Sequence, residues 1–296
     1  MPAASTIECR LLSACNCAYA IDDSGAFTPP APHYEAAGFP AAGQPGAPTP
    51  LVGGPDNINA VLVGTNSDGI VIAFRGTLAA DVHDLPSLLD WAQDFEAAPI
   101  SVAGMPGEVH SGFWRGLDTI WDSVLAAVQA MLAAGGPMPV YITGHSKGGG
   151  FAHLAAMRLQ AAGIMPAEVY TYAAPRVGDA AFAAVYNRDI SAFRYEYRDD
   201  IVPHLPPDLD FVAALKPFVG DQLEALPVFD YADVGTLRFI NWDKQIVGDY
   251  NGLNAKRILH LALLIVELHF DEIVADHNAS CGGGYMTQVC PGVCPV

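Results

Sequence analysis

The chain has 296 residues, 51% of them hydrophobic, and a formal net charge of −18. That length and apolar content fit one large α/β unit with a sizeable core. The acidity excludes phosphate backbones as partners and gives no electrostatic attraction to anionic membranes, so any lipid contact must rest on apolar surface.

The chain opens on a segment from about Thr6 to Ala20 that reads as a helix. The first 21 residues carry no basic stretch followed by an apolar one, so no secretory leader is read there. From about residue 25 to 55 the composition turns to Pro, Gly and Ala, which predicts a surface excursion without regular elements. The stretch "NAVLVGTNSDGIVIAFRGT" then gives two β-type runs around Asn66-Ser67-Asp68-Gly69, a hairpin signal. After Thr77, the segment of about residues 78–95 holds a short helix start at Pro86–Asp90, with Ser87 as N-cap.

"EVHSGFW" reads as a short strand, and Leu117–Gly136 as a helix stopped by Gly135-Gly136-Pro137. From there strand and helix alternate: "PVYITGHS", then a helix ending at Gly163, "AEVYTYAAP", "DAAFAAVYNRD", and "AFRYEYRDD". Alternation of this kind predicts a mainly parallel sheet with helices on both faces. The run Ile258–Phe270 is too short to span a bilayer and carries His260, Glu267 and His269, so it reads as a buried helix. No internal repeat or linker divides the chain, which predicts a single domain over residues 1–296.

The six cysteines cluster at the ends: Cys9, Cys15 and Cys17, then Cys281, Cys290 and Cys294. An even number confined to the termini predicts disulfides tying the two ends together, hence an oxidising compartment and a secreted protein. The spacings are not those of a zinc site, and neither metal nor organic cofactor is expected.

The chemistry concentrates in Gly144-His145-Ser146-Lys147-Gly148. Taken alone, G-x-S-x-G is a weak signal. Here an apolar strand precedes Ser146 and a helix follows it, which is the context of a nucleophile on a tight strand-to-helix turn. The glycines fit that reading, because side chains at those places would collide with strand and helix. A phosphate loop is excluded, since neither G-x-G-x-x-G nor Gly-Lys-Ser/Thr is present.

A serine nucleophile needs a base, and the base an orienting acid, in the chain order Ser, acid, His. Groups that act in open α/β sheets sit past the carboxyl ends of strands. Asp199 and Asp200 hold such a place in "FRYEYRDDIVPHLPP". Three histidines follow near the C-terminus: His260, His269 and His277. The first two sit in the apolar helix, where packing or a snorkelling role is expected. His277, in "VADHNAS", is placed in a loop that reaches the sheet edge and is the favoured base.

In order along the chain stand "VIAFRGT", "VHSGF", "ITGHSKGG", "YAAPRVGDAAFA", "RDDIVPHLPP" and "DH". These six blocks resemble the class 3 (fungal-type) triacylglycerol lipases, which are α/β-hydrolases. The resemblance implies Asp200 as the acid, His277 as the base, and Thr77 as an oxyanion donor beside the backbone N–H of Lys147. It places a lid at about residues 78–95, where Leu85, Leu88, Leu89 and Trp91 offer an apolar face to an oil–water interface. The implied activity is carboxylic ester hydrolysis through an acyl-enzyme, with a lipid or ester substrate, most of all an acylglycerol.

Two departures stand out. The family's Asn before the acid is replaced by Asp199. The residue after the nucleophile, usually aliphatic, is Lys147, a cation at a helix N-terminus, where it is unfavourable; pairing with an acid or contact with substrate is expected. His145, His110 and His204 are expected to be structural, and Arg176, Gly178 and Asp179 to fix a turn. An esterase for short or feruloyl-type esters, an acyltransferase, and a non-catalytic relative acting as a binding protein are the alternatives. Oligomeric state is not legible.

Overall fold

The computed structural model describes residues 6–77, 98–220, 228–281 and 283–294. Helices are α1 (Ile7–Ala18), α2 (His33–Ala37), α3 (Ser111–Gly135), α4 (Lys147–Ala161), α5 (Ala180–Asp189), α6 (Leu209–Val219), α7 (Leu253–Val266), α8 (Phe270–His277) and α9 (Gly284–Val289). Strands are β1 (Thr49–Gly53), β2 (Asn59–Thr65), β3 (Ile70–Phe74), β4 (Pro99–Ser101), β5 (Glu108–His110), β6 (Val140–His145), β7 (Glu168–Tyr172), β8 (Gly178–Asp179), β9 (Ala192–Tyr197), β10 (Tyr231–Ala232), β11 (Thr236–Ile240) and β12 (Ile246–Val247).

Eight strands form one sheet in the order β1-β2-β3-β6-β7-β9-β11-β12. The centre from β3 through β6, β7 and β9 to β11 is parallel. The edges are antiparallel: the predicted hairpin β2–β3 with β1 outside it, and β12 at the far end. A four-stranded sheet, β10-β8-β5-β4, stands apart.

The central strands read as unbroken apolar runs because both faces are covered. On one face Val61, Val63, Ile70, Ile72, Phe74 and Ile142 pack with residues of α3, α4 and α5. On the other, Leu62, Val71, Ala73 and Tyr172 pack with Leu11, Leu12 and Ala14 of α1 and with Tyr285 and Met286 of α9. The predicted class, α/β with helices on both faces, is what the chain adopts.

Local expectations fare unevenly. The Pro/Gly-rich stretch does hold regular structure, in α2 and β1. Strand β1 sits at a sheet edge, where Pro50 need not donate to a neighbouring strand. Helix α3 starts at Ser111, six residues before the expected Leu117, because the Nδ1 of His110 caps it by accepting from the N–H of Phe113. Burial pushes that imidazole down to about 3, which keeps it neutral and able to accept. Helix α3 is long and apolar enough to cross a bilayer by composition. Its buried stripe of Phe113, Leu117, Ile120, Val124 and Val128 belongs to the core against the sheet.

The run from Ile258 is not a fully buried helix. Helix α7 buries Ile258, Leu261, Ala262 and Ile265 and exposes Leu259, Leu263 and Val266, as a helix with one face on the protein must.

Four of the six cysteines pair. Cys9–Cys290 joins the two ends of the chain, and Cys281–Cys294 closes a short loop within the tail. Cys15 and Cys17 are buried thiols; burial pushes both up to about 12, so they hold their protons. The Cys9–Cys290 bond encloses a sequence separation of 281, against 13 for the other. Cys9→Ala is therefore expected to lower unfolding free energy by about 2–5 kcal/mol, and Cys294→Ala by less. Urea midpoints of the two variants test that order.

Candidate active site

Strand β6 delivers Ser146 and β9 delivers Asp200, both just past the carboxyl ends of central parallel strands. At Ser146 the chain turns from strand to helix with φ 56° and ψ −130°, a conformation that non-glycine residues rarely adopt. The N–H of Ser146 is satisfied by the carbonyl of Tyr172 at the end of β7 (2.9 Å). The turn is possible only because the glycines two residues to either side, Gly144 and Gly148, lack side chains. A Cβ on Gly148 would strike the carbonyl of Phe74, and one on Gly144 the carbonyl of Gly148.

Ser146, His277 and Asp200 form one hydrogen-bonded line. His277 Nε2 lies 3.0 Å from Ser146 Oγ, and His277 Nδ1 lies 3.0 Å from Asp200 Oδ1. Asp200 is buried, and its Oδ1 also accepts from the N–H of Val202 (3.0 Å). Its Oδ2 accepts from the hydroxyl of Tyr285 (2.7 Å), a residue that no sequence signal marked. His277 is the last residue of α8 rather than part of a loop.

His145 holds the site from beneath. Its Nε2 lies 2.7 Å from the backbone carbonyl of His277, and its Nδ1 2.7 Å from the hydroxyl of Tyr19. Burial, with the neighbouring His277, keeps the His145 imidazole well below its usual range and so uncharged. A carbonyl only accepts, so Nε2 carries the proton and Nδ1 accepts from Tyr19. The expected structural role of His145 thus has a specific content: it fixes the backbone of His277.

Thr77 follows β3. The parallel pairing of Phe74 with Gly144 carries residues 75–77 alongside the elbow. Gly76 packs so tightly that a Cβ there would meet the Tyr19 hydroxyl and the carbonyl of His145. Thr77 is half-buried. The N–H of Lys147 lies at the start of α4. Its ammonium does not meet the expected acid among the described residues. It donates instead to the carbonyl of Ile58 (3.2 Å) and to Asn59 Oδ1 (3.2 Å), above the ring of Phe151. Burial, with Arg75 nearby, brings it down to about 8. Leu85, Leu88, Leu89 and Trp91, with the whole of the expected lid, lie outside the described residues.

Among the other histidines, His260 packs against the ring of Trp242 as expected and has a polar partner as well; its Nδ1 lies 3.1 Å from Asp199 Oδ1, and Trp242 Nε1 donates to Asp199 Oδ2 (2.9 Å). His269 pairs with Glu272 at the protein surface. His204 is buried and uncharged, stacked on Phe211. Arg176 bridges Asp208 (2.6 Å) and Asp233 (2.9 Å), so it ties three segments together rather than only fixing a turn. Asp179 caps α5 through the N–H of Phe182.

Residues 71–209 match the family Lipase (class 3). A secreted mono- and diacylglycerol lipase A of Penicillium cyclopium is 30% identical over 159 residues, which is 51% of this chain and 47% of that one. The chain spans about half the length of the curated relatives it matches. A mutant form of MDLA from Penicillium cyclopium has a crystal structure similar at a TM-score of 0.64 and 20% identity, over 97% of this chain and 96% of that one. A triacylglycerol lipase whose catalytic centre is a serine protease triad is similar at a TM-score of 0.58 and 24% identity, over 79% and 78%. At these identities the structural likenesses show the fold, that of the α/β-hydrolases.

Proposed function

Residues 71–209 match the class 3 lipase family, and we propose that the chain belongs to that family and is a serine carboxylester hydrolase acting on acylglycerol esters. One observation carries the reading: the hydroxyl of Ser146, the imidazole of His277 and the carboxylate of Asp200 lie in one hydrogen-bonded line, with Ser146 on a strained elbow at the sheet's carboxyl edge.

In this reading Asp200 holds the Nδ1–H of His277, which leaves Nε2 free of a proton and facing Ser146. Ser146 Oγ attacks the ester carbonyl carbon while its proton passes to His277 Nε2. The carbonyl oxygen becomes an oxyanion, which accepts from the N–H of Lys147 and from Thr77. As the carbon–oxygen bond to the alcohol breaks, His277 returns the proton to the leaving oxygen. Water then attacks the acyl-enzyme, giving its proton to His277, and the carboxylic acid departs with Ser146 restored. A single domain and secretion belong to the same proposal. The two disulfides support the oxidising compartment it requires.

The test is hydrolysis of p-nitrophenyl esters from short to long chains and of emulsified triglyceride, each below and above the solubility limit, with Ser146→Ala as control. The expected result is a rate that rises on emulsion and is lost in the control. Activity confined to short soluble esters would make the protein an esterase. Absence of activity on every ester would favour a binding protein.

A further inference from the structure

We propose that Asp276 is a positioning residue for this reaction: its carboxylate pins the end of α8 that carries His277 to the segment that carries Asp200. The inference rests on the roles given above to His277 and Asp200.

Asp276 directly precedes His277, and Asp199 directly precedes Asp200. The two pairs bond across to each other. His277 Nδ1 meets Asp200 Oδ1, and Asp276 Oδ2 accepts from the backbone N–H of Asp199 (3.2 Å). The Asp199 side chain faces elsewhere, held by Trp242 and His260, so its backbone N–H is the group left for Asp276. Acid-bearing and base-bearing segments, 77 residues apart in sequence, are thereby joined at two consecutive positions.

Asp276 is buried. The surroundings are mostly acidic or neutral. Arg198, Asp199 and Asp200 face it from the segment after β9, and Tyr197 from the end of β9. His260 of α7 reaches it through Asp199, and Tyr285 of α9 through Asp200. Burial pushes the Asp276 carboxyl up to about 7. The Asp199 N–H and Arg198 oppose this, and the charges of Asp199 and Asp200 add to it.

With the N–H of Asp199 held by Asp276, the backbones that carry Asp200 and His277 are fixed side by side, which keeps His277 Nδ1 at 3.0 Å from Asp200 Oδ1.

The experiment compares wild type with Asp276→Asn, Asp276→Glu and Asp276→Leu on a soluble ester across pH. A parallel series measures labelling of Ser146 by a fluorophosphonate, which reads the base without substrate. The Asn and Glu variants, which keep an oxygen that can accept from the Asp199 N–H, are expected to hold kcat and the labelling rate near wild type. The Leu variant, without an acceptor for Asp199, is expected to lower kcat at unchanged KM. Should the Leu variant fail to fold, Asp276→Ala removes the acceptor with a smaller side chain and reads the same kcat. An unchanged kcat and labelling rate in the variant without an acceptor, or a loss in the Asn variant as large as in the Leu variant, overturns the positioning. Ser146→Ala separates the two levels: if it hydrolyses and labels like wild type, the site assignment itself falls, whatever Asp276 does.

Discussion

Replacing His277 by alanine is expected to lower kcat on a soluble ester by about four to six orders of magnitude, and adding Ser146→Ala to lower it little further. The reason is that the two act as one unit. Without the base, Ser146 Oγ keeps its proton and is a poor nucleophile at neutral pH; without the hydroxyl, the base has nothing to deprotonate. The residual rate reflects only the oxyanion donors and substrate binding, and it is common to both single variants and the double. Losses that instead multiply would mean His277 and Ser146 act in separate steps, and the hydrogen bond between them at 3.0 Å would be incidental. Steady-state kinetics on the three variants, with circular dichroism to show that each is folded, decides the matter.

Glu196→Ala is expected to destabilise the fold by about 3–5 kcal/mol. Glu196 lies on β9, buried, between Arg194 (2.7 Å) on the same strand and Arg257 on α7. Burial alone would raise its pKa; Arg257 and Arg194 outweigh that and hold it below the usual carboxylate range. Truncating it leaves the buried Arg257 without its partner, which is the expensive way to break such a pair. Removing both ends, as in Glu196→Leu with Arg257→Met, should recover most of the loss. The pH dependence has a definite sign. A carboxylate with a depressed folded pKa contributes stability that is present above its unfolded pKa and lost as pH falls through the folded one. Glu196→Gln should therefore lose stability at neutral pH and show a shallower fall in acid than wild type. Urea midpoints across pH check this; a loss under about 1 kcal/mol for the alanine variant would mean that water replaces the pair.

How much of this was legible in the chain follows from the reach of each interaction. The hairpin at Asn66–Gly69, the order of strands and helices, and the glycines around Ser146 are local, set by turn chemistry and by hydrophobic runs within a few residues. Each is present in the structure. The lid residues lie outside the described part of the chain. Expectations that failed did so where a distant partner decided. The Pro-rich stretch gained β1 because β2 supplied its hydrogen bonds. Helix α3 began early because His110, outside the usual set of caps, is buried and neutral. Lys147 found a carbonyl and an amide 89 and 88 residues away instead of an acid.

The sequence by itself determined the class of fold, the residue that sits on the elbow, and a short list of acids and histidines. Only the tertiary structure decided which of them meet. Asp199 and Asp200 are adjacent in the chain, yet their side chains point to different histidines, His260 and His277. Tyr285, Tyr19 and Asp276 became part of the site because α9, α1 and the end of α8 close over the sheet's carboxyl edge. Local sequence carries turn and helix preferences over a few residues; which side chains share a proton is set by contacts 77 to 131 residues apart, and packing alone brings those together.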